Sequence, residues 1–409
     1  MITTGTAAWW RITIALCLGS FMVFSNLYVT QPLLPMLATE FSVTPLQASY
    51  SLTLSTLTLG LSLLVYGPLS DVIGRKGLIV GSMCGAALTA LLISQVSTFE
   101  QLLWLRGLQG VFLGGLPAIA VAYMADEFDA DALMSAIGLY IAANSLGGIG
   151  GRLMGGFTGE HLGWGNAFLV VGILGACTWM LVAWLLPAPR RFIARPFNLP
   201  SMGQDLISHL TNPLLIPAFL FGGLNFFVFI NQYSFITFVL EAEPYTLSPQ
   251  FLGMLFLTYL SGTWGSTLSG KFSRRFGQAN CMMVGSGLLM IGSLVTLIPW
   301  LPTIILGFLL NAFGFFFAHS SASAWVSRTA QHAKASASSL YLVFYYLGAS
   351  TGGLYLNLFW QWQYWLGVVL GSLLVLAVTL ALAAWLKHQT CKQQSRPSGR
   401  IAQESQSVS

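Results

Sequence analysis

Twelve apolar segments, each of roughly 20 residues or more, follow one another along this chain, and nothing constrains its fold more. That is the length an α-helix needs to cross ~30 Å of hydrocarbon. Within lipid every backbone N–H and C=O must find its partner inside the protein, which a helix achieves by itself. We place the spans at 11–37, 47–68, 77–97, 101–124, 132–157, 163–186, 213–239, 249–271, 279–299, 302–327, 334–360 and 362–387. The basic residues test the count, because one helix missed or added would scatter them over both sides of the membrane. Of 17 Lys and Arg, only Arg106 and Arg152 fall in the interior of a span, and the rest lie at span ends on one side, at the N-terminus, in the loops after even-numbered spans, or in the tail. The alternate loops hold Glu40, Glu100, Glu160, Glu241 and Glu243 with no Lys or Arg. Both termini are therefore expected in the cytoplasm.

Composition excludes the other classes. With 55% hydrophobic and 7% charged residues, and a mean hydropathy of +0.74, the chain cannot be a soluble globule, for which ~25% charged is usual. The first apolar run is long enough to remain as a span and lacks a small-residue cleavage site, so no cleavable signal is expected. The five Cys lie far apart and form no metal or redox motif, so no metal and no cofactor is expected. No embedded His, Asp, Glu or Cys group makes a nucleophile constellation, which argues against an enzyme. A phosphate-binding loop of the form G-x-x-x-x-G-K-[ST] is missing, which argues against an ATP-driven pump. The 13 Trp and 28 Phe suit lipid contact and interfacial belts, and nothing points to nucleic acid.

The chain divides in two. A six-span bundle over 1–187 is followed by a linker over 188–212, a second six-span bundle over 213–388 and a Gln- and Ser-rich tail over 389–409 expected to be disordered. The linker region carries Arg190, Arg191, Arg195 and the prolines Pro187, Pro189, Pro196, Pro200 and Pro213. Met202, Leu206 and Leu210 recur at helical spacing there, which predicts a short interfacial helix. The bundles repeat in parallel. Thr44-Pro45 before span 2 matches Ser248-Pro249 before span 8, and Gly67, Ser70 and Gly74 match Gly270, Ser273 and Gly277. Tyr140, Gly147 and Gly151 of span 5 match Tyr341, Gly348 and Gly352 of span 11. Parallel repeats of this kind place a substrate site near the membrane midplane between the halves.

Between spans 2 and 3 stands Gly67-Pro68-Leu69-Ser70-Asp71-Val72-Ile73-Gly74-Arg75-Lys76, read as a charged loop bounded by glycines. Gly67 and Gly74 permit positive φ and close approach, and Asp71 can cap a helix N-terminus. The pattern resembles the loop signature G-x-L-[SA]-D-x-x-G-R-[KR] of the major facilitator superfamily, with every specified position filled. Tyr28-Val29-Thr30-Gln31-Pro32, Gly138-Leu139-Tyr140 and Ala337-Ser338-Ser339-Leu340-Tyr341 further resemble its YnfM-type bacterial branch. The resemblance implies an all-α membrane protein of twelve transmembrane helices in two six-helix bundles that rock about a central cavity. It implies a secondary active transporter of the bacterial inner membrane, acting as a monomer among membrane lipids on a small-molecule substrate. Proton-coupled export, as an antiporter, is the first reading of its direction, and uptake of a small organic anion is the alternative. In the family the loop aspartate, here Asp71, faces the N-terminal end of span 11 and latches one conformation, with Gly67, Gly74, Arg75 and Lys76 completing the turn. Arg274 replaces its counterpart in the second repeat, so the latch is expected to be one-sided.

Several polar residues inside the spans are candidates for the cavity. Arg106 and Arg152 share a depth some 9–12 Å below the ends of their helices, counted at ~1.5 Å per residue. A lone Arg in lipid costs at least ~2.5–3.5 kcal/mol, so each needs a partner, yet no Asp or Glu falls well inside a span. Carbonyls, amides, hydroxyls, loop carboxylates or a substrate remain. Arg106 and Gln109 lie in a stretch resembling the family's R-x-x-x-G motif, whose arginine is tied to proton coupling; bracing and substrate contact stay open. Tyr140, Asn144, Gly148 and Arg152 form one polar stripe, read either as a substrate surface or as an interhelical seam. His319 is the one histidine inside a span, and an unperturbed imidazole pKa near ~6.5 suits proton exchange, although a satisfied packing histidine is the first reading. Asn26 and Gln31 of span 1, Asn231 and Tyr233 of span 7, and Tyr341 and Tyr345 of span 11 add neutral hydrogen bonds and ring faces. Gly147, Gly151 and Gly155 offer close helix packing, read as a sliding contact between the moving halves or as a static seam. The drug-antiporter subgroup has Pro after the second of these glycines, where this chain has Arg152.

Overall fold

The computed structural model describes residues 1–189, 192 and 199–394. Arg190, Arg191, Arg195, Pro196 and the tail beyond Gln394 lie outside the described residues. Among the described residues, ten helices are long and apolar enough to cross a membrane. The last of them, Ser336–Thr390, is two spans, because Gln363 and Tyr364 leave helical geometry and turn the chain. One further span is less apolar and broken in the middle: Pro249–Leu255, a 3-10 turn at Phe256–Thr258, then Tyr259–Phe276. The fold is therefore all-α, with twelve transmembrane helices in two six-helix bundles.

Local chemistry sets the helix ends. Span 2 (Pro45–Ile73) starts from a capping box in which Thr44 and Gln47 exchange hydrogen bonds, with Pro45 at the first helical position. Span 5 (Ala130–Leu162) starts from Asp129, whose carboxylate accepts from the Ala132 N–H at 2.8 Å. In span 1 the prolines Pro32 and Pro35 supply no N–H, so Ala7–Tyr28 yields to a 3-10 turn at Gln31–Leu33 before Leu34–Glu40 resumes. Gly74 and Gly277 adopt φ of +104° and +83° at matching points of the two repeats, joining spans 2 to 3 and 8 to 9. The sequence reading of a loop over 67–76 needs correction. Span 2 stays helical through Ile73, Gly67 lies inside it, and Gly74 alone forms the joint.

The short helix expected in the linker runs over Leu199–Leu210. Its Leu206 and Leu210 pack on the apolar core of the second bundle, and His209 reaches the Ala333 carbonyl at 3.2 Å. At the same end of the molecule the chain's beginning is strapped down. Ile2 N–H donates to the Glu127 carbonyl at 2.9 Å, and the Trp9 indole donates to the Ala132 carbonyl at 3.0 Å. We call this end, which carries Arg75, Lys76 and Arg274, the basic end; the opposite one carries Glu40, Glu100 and Glu160.

The two bundles meet from the acidic end down to mid-depth. Glu160 accepts from the Ser248 hydroxyl at 2.5 Å and the Gln250 N–H at 3.0 Å. Gln31 donates to the Ile230 carbonyl at 3.2 Å and the Ser234 hydroxyl at 3.0 Å. Thr56 and Ser350 share a hydrogen bond of 3.1 Å further in. The acidic end is closed in this conformation.

Candidate functional site

The two intramembrane arginines have different surroundings, although both are fully buried. Arg106 is enclosed by the first bundle. Its Nε donates to the Ser51 carbonyl at 2.8 Å, one terminal nitrogen to the Asn26 carbonyl at 3.1 Å and the Gln109 Oε1 at 2.5 Å, and the other to the Leu27 carbonyl at 2.8 Å. Gln109 in turn donates to the Asn26 side chain at 3.3 Å. Spans 1, 2 and 4 are thus tied through one cation, and charged hydrogen bonds at ~1.5–3 kcal/mol each are sufficient to offset the ~2.5–3.5 kcal/mol insertion cost.

Arg152 lies between the bundles. Its Nε donates to the Gln31 Oε1 at 2.8 Å, and its terminal nitrogens to the Gly148 carbonyl at 2.7 Å and the Tyr259 hydroxyl at 3.3 Å. Three rings face the guanidinium, with centroids at 3.9 Å for Tyr28, 4.5 Å for Phe256 and 4.7 Å for Tyr259. Each face is worth ~0.5–2 kcal/mol, so the cage also balances the cost of burial. Tyr28 and Gln31 belong to the first bundle, Phe256 and Tyr259 to the second. The 3-10 turn in span 8 sits at Phe256 and so aims these rings, and such turns within helices often mark hinges. Span 1 runs between the two arginines and both grip it, so they do not form a single electropositive patch.

Arg152, Gly156 and Glu160 recur every four residues on one face of span 5, and all three meet span 8. Gly156 approaches the Pro249 carbonyl so closely that a Cβ would collide with it. The stripe of Gly147, Gly151 and Gly155 faces elsewhere. These glycines lie against the backbone of Phe21, Ser25 and Val29 in span 1, within the first bundle, so they are not a contact between halves. Gly348 and Gly352 repeat the arrangement against Gly223 and Phe227 of span 7.

At the basic end Asp71 pairs with Arg75 at 3.1 Å, Arg75 also pairs with Asp126 of span 4, and it donates to the Ser70 hydroxyl at 3.3 Å. Asp71 occupies the last turn of span 2 rather than capping an N-terminus, and its ionic partner is in its own bundle. Lys76 follows in the first turn of span 3.

The remaining candidates separate into two groups. Asn231 donates to the Phe227 and Ala349 carbonyls at 2.9 and 3.0 Å, and the Tyr233 hydroxyl meets Thr258 at 2.6 Å, so both brace the second bundle. His319, Tyr341 and Tyr345 do come together. The Tyr341 hydroxyl lies 2.8 Å from His319 Nδ1, and Tyr345 stacks on Phe226 with centroids 3.7 Å apart and 4.8 Å from the His319 ring. Tyr346 stands edge-on to Tyr345 and packs against Gly60 of span 2, in the first bundle. Asn144 accepts a hydrogen bond from Ser20, while the buried Tyr140 hydroxyl beside Ser20 makes no well-formed hydrogen bond. The rings and hydroxyls around His319 thus form a packed cluster in the second bundle that meets the first bundle at Gly60, and no carboxylate is among them.

The Major Facilitator Superfamily model matches residues 16–353. The chain belongs to this superfamily. It is 39% identical over 385 residues to the uncharacterized MFS-type transporter YybF of Bacillus subtilis, covering 94% of this chain and 95% of that one. It is 35% identical to the inner membrane transport protein YnfM of Escherichia coli, covering 93% and 91%. Among solved structures, a bacterial homolog of the human lysosomal transporter Spinster, inward-facing and unoccupied, superposes with a TM-score of 0.74 at 16% identity, covering 93% and 97%. This chain is a multi-pass membrane transporter of the superfamily and not an enzyme.

Phe256, Tyr259 and Glu160 are the residues that sequence reasoning passed over as site residues. Tyr259 is 107 positions from Arg152, and in a chain this aromatic no local signal marks it. Glu160 stands in the sequence as a loop carboxylate eight residues from Arg152, a spacing that places both on one helix face, but nothing local shows that it meets span 8 instead of the arginine.

Proposed function

We propose that the chain exports a small, neutral or weakly polar organic compound bearing an aromatic or apolar face, by alternating access and in exchange for protons. The basic end faces the cytoplasm in this reading, because the Lys and Arg of the connecting loops gather there. The observation that carries it is the character of the cluster around His319. Phe226, Tyr345 and Tyr346 bring rings together, and His319 with Tyr341 adds polar atoms. The two nearby cations are already engaged by protein groups. Such a cluster favours stacking and a few hydrogen bonds over charge recognition. Proton exchange is assigned to His319 with Tyr341. The experiment is a panel of radiolabelled or fluorescent compounds in inverted vesicles, with and without a proton gradient. Uptake of an aromatic neutral compound that collapses with the gradient, and is lost in His319→Gln, supports the reading. Equal uptake without a gradient would remove proton coupling.

Uptake of an organic anion is favoured by one observation, that Arg152 stands between the bundles rather than inside one.

A further inference from the structure

We infer that Arg152 is a state-dependent anion site, closed in this conformation and presented to the acidic side when the bundles part there. The inference rests on the alternating-access reading, and it holds whichever way the principal substrate moves.

The cage is divided between moving bodies. Tyr28, Gln31 and the Gly148 carbonyl travel with Arg152 in the first bundle, whereas Phe256 and Tyr259 belong to the second. Parting of spans 5 and 8 therefore removes two ring faces and the Tyr259 hydroxyl together. What stays is a guanidinium with donors to spare, one ring, and the Gln31 amide, whose Nε2 is itself released from Ile230 and Ser234 of the second bundle. Parting thus frees five N–H donors, three on the guanidinium and two on the Gln31 amide.

Among the described residues no carboxylate pairs with Arg152. The nearest acid on the same helix face is Glu160, two turns nearer the acidic end, or about 12 Å along the axis. That is beyond a salt bridge, and Glu160 is itself released from Ser248 by the same motion. A cation left in a narrow opening of low polarity attracts an anion from solution. The donor set fits a carboxylate, which the planar guanidinium grips with two parallel hydrogen bonds, while the Tyr28 ring beside it favours an aromatic or apolar body. The ligand class is thus a small monovalent organic carboxylate. On closure the rings return over the guanidinium and the anion must leave or be carried inward, so its affinity differs between the two states, which is the condition for coupling it to transport.

The test uses the full chain in lipid nanodiscs with benzoate as probe, and compares the natural sequence with Phe256→Ala/Tyr259→Leu, Arg152→Gln and the combination. A maleimide label on Cys placed by Ser248→Cys, in a chain whose own cysteines are replaced, reports opening at the acidic end. The cage variant should label faster and bind benzoate about tenfold more tightly, a gain that Arg152→Gln abolishes. Methyl benzoate should not compete, and at constant ionic strength acetate should compete and chloride only weakly; chloride competing as well as acetate would overturn the carboxylate assignment. Faster labelling with unchanged benzoate affinity, or affinity retained in Arg152→Gln, would overturn the anion site and leave alternating access standing. Labelling that no variant changes would overturn both. Phe256→Leu alone serves if the double variant does not keep its melting temperature.

Discussion

The two bundles solve one problem with different chemistry. Each must join its first span to the neighbours behind it in a medium without water. In the first bundle Arg106 does so with charged hydrogen bonds to backbone carbonyls of spans 1 and 2 and to Gln109. In the second bundle a neutral cluster does so: Gln232 donates to Ser293 at 2.9 Å, and Asn311 donates to Gln232 at 2.9 Å, joining spans 7, 9 and 10. The basic-end ion pairs and both intramembrane arginines also fall in the first bundle. The second keeps instead the His319–Tyr341–Tyr345 group and the long ring stack of Phe226, Phe229 and Phe315. A duplicated fold has thus been divided into a charge-braced body and an aromatic one, and substrate-facing variety is expected from the latter.

The largest predicted asymmetry is in stability. Arg106→Leu removes every charged hydrogen bond of its brace and should lower stability by about 3 kcal/mol or more, whereas Asn311→Leu should cost about 1–2 kcal/mol. Thermal melting of the purified variants in one detergent reads both. Similar losses would mean that the charge contributes no more than an amide does.

On the glycine seams the bundles should behave alike. A methyl at Gly151 meets the Ser25 backbone and one at Gly352 meets the Phe227 carbonyl, so Gly151→Ala and Gly352→Ala should each cost about 1–3 kcal/mol through overpacking. Gly156→Ala should spare the melting temperature of each bundle and weaken their contact instead, since its neighbours Pro249 and Gly253 are in the other half. A melting loss in Gly156→Ala as large as in Gly151→Ala would blur this distinction.

The basic-end joint divides the bundles again. Asp71→Asn should reduce transport about tenfold, an effect of ~1.4 kcal/mol on a conformational equilibrium. The Asp71–Arg75 pair is partly exposed, so melting should hardly move. Arg274→Ala, at the matching position of the second repeat, should change transport less than twofold. Equal defects would contradict a one-sided joint.

Much of this architecture is legible in the sequence because lipid leaves few choices: apolar length gives the spans, and basic residues give their alternation. Gly74 and Gly277 are legible too, since both joints need positive φ and both repeats keep the glycine. Gly67 misled because a helix in lipid tolerates glycine where nothing crowds it. The partners of Arg152 were only half legible. Amides, hydroxyls and carbonyls could be anticipated for a cation without a carboxylate, but ring faces could not be told from the many aromatics that meet lipid. Which face a small-residue stripe presents is likewise decided by tertiary packing, and here Gly155 and its neighbour Gly156 point to different bundles.

The smallest effect is expected at the acidic rim, where the bundles touch through one carboxylate. Glu160 accepts from Ser248 and from the Gln250 N–H at the start of span 8, so its charge meets the positive end of that helix. Glu160→Gln keeps an acceptor oxygen and removes only the charge. At an exposed rim that charge is screened by salt, so the closed state should lose about two- to fivefold in population at low ionic strength and less at high. Ser248→Ala removes a donor but leaves the Gln250 N–H and the helix end in place, so it should do less still. The labelling rate of a cysteine at Gln250, read at two salt concentrations, separates the cases. A Glu160→Gln effect that does not fall with salt would assign the contact to hydrogen-bond geometry rather than to charge. The acidic rim would then be a neutral contact, and charge would remain with Arg152 and the basic-end joint alone.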